Sequence, residues 1–194
     1  MRPLADVLWS PVCIPTAENG LMELSGKRVA VLAENSFEDL ELWYPVLRLR
    51  EAGAAVMIVG SGSAEAYTGK HGVPVVVDGD ADEVTVADLD AVVIPGGFAP
   101  DRLRRYQAVL SLVREAHERG KVVAFICHAG WVPISAGIVK GKRVTSVAAI
   151  KDDLVNAGAQ WEDSEVVVDG KMISSRGPND LPAFCRAIIA AMQQ

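Results

Sequence analysis

The chain has 194 residues, half of them apolar and 23% charged, with a net charge of −6. That balance suits one globular domain around a single core, and it disfavours a nucleic-acid surface, as does the lack of any basic run interleaved with aromatics. Gly or Pro interrupts every apolar stretch well before the ~20 residues a membrane span needs, so no membrane association is expected.

Residues 1–21 hold one Arg, Asp6 and several prolines around a weak apolar centre, a poor signal peptide. They read as a loosely attached N-terminal arm, or as an over-long start, ahead of a single domain spanning 22–194. After Lys27-Arg28 the β-branched run 29–32 predicts a strand. Ser36 is a candidate helix cap with Asp39 three residues on, and the spacing of Leu40, Trp43 and Leu47 predicts a helix over 37–52, kinked or divided at Pro45. A strand at 54–59 follows, then short strands joined by Gly-containing turns over 66–78. Strands at 91–94 and 122–126 flank a helix over 109–117. Next come a helix at 132–136, a strand at 143–146 and a helix at 150–156. Asp169-Gly170 marks a hairpin between 166–168 and 171–174, and Asn179 or Asp180 can cap a last helix ending near 192. Strands alternating with helices predict a mostly parallel sheet with helices on both faces, whose functional groups gather at strand C-terminal ends.

Three cysteines, at 13, 127 and 185, have no disulfide or zinc spacing, which fits a reducing cytoplasm and a protein without metal or other cofactor. Cys127 stands where a buried strand gives way to a helix. Backbone N–H groups at a helix start favour an anion, so a thiol there can ionise more readily than usual. The same donors can receive the oxygen of a tetrahedral intermediate, which nominates the N–H groups of His128 and, across the cleft, Gly97 as an oxyanion hole. A buried structural cysteine is the competing reading.

His128 is the adjacent base candidate, although neighbouring side chains on extended backbone point to opposite faces, so the turn must redirect one of them. No histidine follows it, which excludes a distant C-terminal base. Asp101 could orient His128, or could simply be a first-turn helix acid. Glu38 could stay protonated and donate to the thiolate, or could likewise be a first-turn acid. Cys185 suits core packing, and neither it nor Cys13 is assigned a role.

The motifs Phe37-Glu38-Asp39-Leu40-Glu41-Leu42, Thr68-Gly69-Lys70-His71-Gly72 and Pro95-Gly96-Gly97-Phe98-Ala99-Pro100-Asp101 resemble, in order, those of the PfpI family of intracellular cysteine peptidases. So do Ile126-Cys127-His128, Ile150-Lys151-Asp152-Asp153 and the run from Ser174 to Leu181. The resemblance implies a flavodoxin-like, three-layer α/β sandwich related to class I glutamine amidotransferases. It implies Cys127 as nucleophile, His128 as base and Glu38 as the acid touching the thiol. It also implies a dimer or hexamer in which a neighbouring subunit supplies a carboxylate from the position of Asp101. Two departures stand out: Asp101 is one methylene shorter than the family glutamate, and Ala129-Gly130-Trp131 stands where the family usually continues with Gly-Pro.

Two function classes follow. One is a cysteine-dependent enzyme acting on methylglyoxal and its early protein adducts (a deglycase or glyoxalase) or on peptide bonds. Its partners would be small reactive carbonyls, glycated proteins or peptides, and a cleft narrowed by Trp131 favours the small carbonyls. The other is a redox-responsive stress protein with holdase behaviour, whose thiol is oxidised rather than turned over.

Overall fold

The computed structural model describes residues 23–194; the expected arm, Cys13 and Met22 lie outside the described residues. Seven strands form the central sheet in the order β10-β11-β7-β6-β1-β2-β5. They are β1 (Arg28–Ala33), β2 (Ala55–Gly60), β5 (Gly79–Asp80), β6 (Ala91–Ile94), β7 (Val122–Ile126), β10 (Val166–Asp169) and β11 (Met172–Ser175). Only β10 runs antiparallel, paired with β11 through the hairpin at Asp169-Gly170. All residues of β6 and β7 are buried, as strands covered on both faces must be, so they read in sequence as unbroken apolar runs. Two small sheets decorate this frame: the hairpin β3 (Ala66–Thr68) with β4 (Pro74–Val76), and the parallel pair β8 (Arg143–Val144) with β9 (Gln160–Trp161).

Six helices complete the described fold: α1 (Asp39–Glu51), α2 (Ala99–Leu103), α3 (Gln107–Glu118), α4 (Trp131–Ala136), α5 (Lys151–Asn156) and α6 (Leu181–Met192). α1 packs with α6, while α2 and α3 pack with α4. The chain leaves β1 for β2 on one side and returns to β6 on the other, so right-handed crossovers put these two groups on opposite faces. The order of strands therefore reverses between β1 and β6, the place where a doubly wound sheet opens a crevice at its C-terminal edge. Among the described residues no helix is long and apolar enough to cross a membrane.

Three local expectations are corrected. Ser36 does not cap α1: it adopts φ 67°, donates to the Thr68 carbonyl and accepts from Phe98 N–H, so it ties loops together two residues before the real cap, Glu38. Pro45 does not divide α1, which runs on through it; Leu42, Val46 and Leu49 on the same side are fully buried, and that packing outweighs the bond to the Glu41 carbonyl that proline cannot make. The strand expected over 143–146 stops at Val144, after which Thr145 N–H donates to Ser174 Oγ. The short helix α2 agrees with the alternative reading of Asp101 as a first-turn helix acid, although five residues give too little periodicity for its extent to be read from sequence.

Candidate functional site

Three strand ends meet in the crevice. Beyond β1, residues 34–38 cross over to form an isolated antiparallel bridge between Phe37 and Gly97, with Glu38 N–H donating to the Gly96 carbonyl. Beyond β6, Pro95-Gly96-Gly97 slips through a gap that admits no side chain. A Cβ on Gly96 would lie 2.5 Å from Glu41 Oε2 and 2.7 Å from Cys127 Cβ. One on Gly97, at φ 76°, would lie 2.5 Å from both Glu38 N and the Ser36 carbonyl oxygen. Beyond β7, Cys127 turns sharply at φ 63°, a left-handed conformation that a non-glycine residue adopts at a cost of about 1–3 kcal/mol. That turn solves the adjacency problem posed by the sequence: it swings Sγ to within 3.3 Å of His128 Nδ1.

The two N–H groups nominated as an oxyanion hole, those of His128 and Gly97, lie near enough to the Cys127 sulfur to favour its anion. The carboxyl against the thiol, however, is that of Glu41 and not Glu38. Glu38 is committed elsewhere. Its Oε2 accepts from Glu41 N–H at 2.9 Å as the cap of α1, and its Oε1 faces Lys70 Nζ at 3.8 Å and His71 Nε2 at 3.7 Å. Glu41 is fully buried, accepts from Gly96 N–H at 2.8 Å through Oε2, and leaves Oε1 without a hydrogen-bond partner of ordinary geometry. A signal was present in the sequence: Glu41 shares the side of α1 that buries Leu42, Pro45, Val46 and Leu49, and a carboxylate among such positions is out of place unless it has work there.

Burial pushes the Glu41 carboxyl up to about 7, with the Glu38 charge adding to the rise and the Gly96 N–H opposing it. The thiol does not ionise as easily as its place at a helix start suggests: burial first, and the Glu41 charge second, push Cys127 up to about 12 against the pull of the His128 and Gly97 N–H groups. The helix beyond it, α4, has only six residues after a 3₁₀ turn over Cys127–Gly130, so there is little aligned dipole to offset desolvation. His128 is held below its ordinary value, by burial and then by Lys70, so near neutral pH it is an unprotonated imidazole able to accept a proton. The resting arrangement is thus a thiol with a neutral base beside it and an acid of near-neutral pKa behind it.

Asp101 stands apart within the protomer. It lies in the first turn of α2, is about half exposed, and pairs with Arg105 rather than His128. Cys185 is buried in α6, as core packing predicts. His71 is mostly exposed, but its loop is pinned to the site because Asp39 accepts from His71 and Val73 N–H groups. Among the described residues no group of three or more His, Cys, Asp or Glu side chains could hold a metal ion. A separate cleft of about 350 Å³ lies between Ser146, Trp161, Arg176 and Asn179, but its guanidinium is already neutralised by Asp163 and Asp180 and it does not include Cys127.

Residues 27–191 match the model of the DJ-1/PfpI family. A Pyrococcus horikoshii protein named as a deglycase is 46% identical over 166 residues, covering 86% of this chain and 99% of that one. A Bacillus subtilis relative that carries a provisional cysteine-protease name is 41% identical over 160 residues, 82% of this chain and 95% of its own. The crystal structure of DJ-1beta from Drosophila melanogaster superposes with a TM-score of 0.81 at 31% identity, over 88% of this chain and 91% of that chain. With its crevice, its strained cysteine turn and a match across the whole described domain, the chain belongs to the DJ-1/PfpI family.

Proposed function

We propose that this protein is a cysteine-dependent deglycase or glyoxalase-type enzyme that converts methylglyoxal, free or in early adducts with amino and thiol groups, to lactate. The observation that carries this reading is the contact of 3.3 Å between Cys127 Sγ and His128 Nδ1 on a strained turn. The deglycase name of the Pyrococcus horikoshii relative supports the substrate class, and Trp131, beside His128, favours small carbonyls over peptides.

Sγ bonds to the aldehyde carbon as His128 takes the thiol proton, and the carbonyl oxygen becomes the hydroxyl of a hemithioacetal. From an aminocarbinol adduct the same species forms when Sγ displaces the amine. A proton removed from the former aldehyde carbon and returned to the neighbouring carbon yields a lactoyl thioester. The aldehyde carbon is oxidised while the ketone carbon is reduced, so no external oxidant enters. Water then breaks the carbon–sulfur bond, releasing lactate and restoring the thiol. Glu41, with a pKa of about 7, can give and take a proton at the sulfur. In this reading the protein works as a homo-oligomer in a reducing cytoplasm, and the exposed Asp101 orients His128 of a neighbouring subunit.

The experiment is lactate formation from methylglyoxal by the wild type and by Cys127→Ala. Turnover in the first and none in the second is the expected result. A wild type that makes no lactate, with Cys127 recovered as sulfenic or sulfinic acid, would refute the enzyme reading and leave the redox-responsive one.

A further inference from the structure

His128 has one hydrogen-bond partner for its ring among the described residues, Cys127 Sγ, and a contact of 3.3 Å to a thiol is too weak to fix an imidazole by itself. Its ring also meets that of Trp131. The two residues are three apart across the 3₁₀ turn, a spacing that places side chains in line, and their rings lie 5.4 Å apart between centroids at 53°. Trp131 is itself held from two directions. Its Nε1–H donates to Asp153 Oδ2 at 2.7 Å, and the Arg104 guanidinium lies 5.9 Å from its ring centroid while Arg104 Nε donates to Ser135 Oγ at 2.9 Å.

Gly130 leaves room for the first of these contacts. A Cβ there would lie 3.0 Å from Ile150 Cδ1 and 3.4 Å from the Leu154 methyl groups, so the missing side chain lets the start of α5, which carries Asp153, settle onto the turn. The departure from the family pattern at 129–131 thus holds together as a unit: a glycine that admits α5, and an indole that α5 then anchors.

We propose that Trp131, clamped by Asp153 and Arg104, is the positioning residue that holds the His128 ring with Nδ1 against the Cys127 sulfur. The inference rests on the reading of Cys127 and His128 as the reacting pair. It predicts that losing the Asp153 bond loosens the imidazole and slows proton removal from the thiol, while substrate binding changes little.

The test uses the full-length protein and follows alkylation of Cys127 by iodoacetamide from about pH 5.5 to about pH 9, with the site assigned by peptide mapping. Trp131→Phe keeps a ring but loses the N–H, Asp153→Ala removes the acceptor, and Asp153→Asn keeps one. The first two should slow alkylation near pH 7 about five- to tenfold and displace the inflection contributed by His128, whereas Asp153→Asn should stay within about twofold of wild type. With methylglyoxal as substrate, the loss should fall on kcat with KM unchanged. Asp153 is exposed, so its two variants decide the matter even if Trp131→Phe fails to fold. Profiles that superimpose on wild type, or equal losses in the Asn and Ala variants, would overturn the proposal. Because alkylation needs no turnover, a wild type inactive on methylglyoxal would sink the proposed substrate and still leave this inference decided by the profiles.

Discussion

Replacing Glu41 with Gln should change how stability depends on pH, by an amount the structure allows to be worked out. The carboxyl is fully buried and titrates at about 7 in the folded chain against an ordinary value of 4.5. Between those values the folded state binds more protons than the unfolded one, so stability falls as pH rises. The favourable contribution is fully present below about pH 4.5 and is lost as pH climbs through about 7. At about 1.4 kcal/mol per pKa unit the whole swing is about 3 kcal/mol. Gln can still accept from Gly96 N–H but carries no charge to desolvate, so the variant lacks this swing, and every other titrating group largely cancels in the difference between the two proteins. Urea unfolding of wild type and Glu41→Gln should be measured from about pH 4.5 to about pH 8.5 at one protein concentration. The midpoint difference should move in the variant's favour by about 1 M across the range, taking m as about 2–3 kcal/mol/M. Midpoints that stay parallel at all pH values would show that Glu41 is ionised at rest in the fold, and the account of a near-neutral acid behind the sulfur would fail.

His128→Ala should lower kcat for lactate formation about 10²- to 10⁴-fold, the usual worth of a positioned base, and should slow alkylation of Cys127 near pH 7; unchanged rates in both assays would remove the imidazole from the mechanism. Gly97→Ala should destabilise the chain by more than about 2 kcal/mol in denaturant titration, since it combines φ 76° with backbone atoms 2.5 Å from the new Cβ. Asp101→Ala should leave stability within about 0.5 kcal/mol, because its partner Arg105 is an exposed neighbour one turn away, yet it should cut turnover. Under the proposed arrangement, in which Asp101 serves a neighbouring subunit, mixing this variant with inactive Cys127→Ala should restore part of the activity, because one subunit would keep Cys127 and the other Asp101. No recovery in verified mixed oligomers would place Asp101 outside the site.

Much of the frame is legible along the chain. The strands β1, β6 and β7 stand out because parallel strands buried on both faces must be continuous apolar runs. The cysteine turn is visible because Cys127 follows one of them directly, and the adjacent imidazole is visible because no other histidine follows. Helix α2 and the true start of α1 are less legible. The first is too short for a period, and the second depends on Ser36 being drawn into contacts with Thr68 and Phe98, residues far along the chain.

The order of apolar runs and turn residues was enough to specify a mostly parallel α/β sheet and to single out Cys127, His128 and the Gly97 N–H, since each follows from local spacing at a strand end. Which acid faces the sulfur was beyond it. Glu38 and Glu41 stand at the start of one helix, and only the packing of that helix against the sheet makes one a cap and sets the other against the sulfur. The ionisation of the thiol was equally a tertiary matter: its position suggested an easy proton loss, but desolvation and the field of a carboxylate on α1 outweigh a short helix. Such quantities depend on distances between residues remote in sequence, and those distances exist only once the chain has closed on itself.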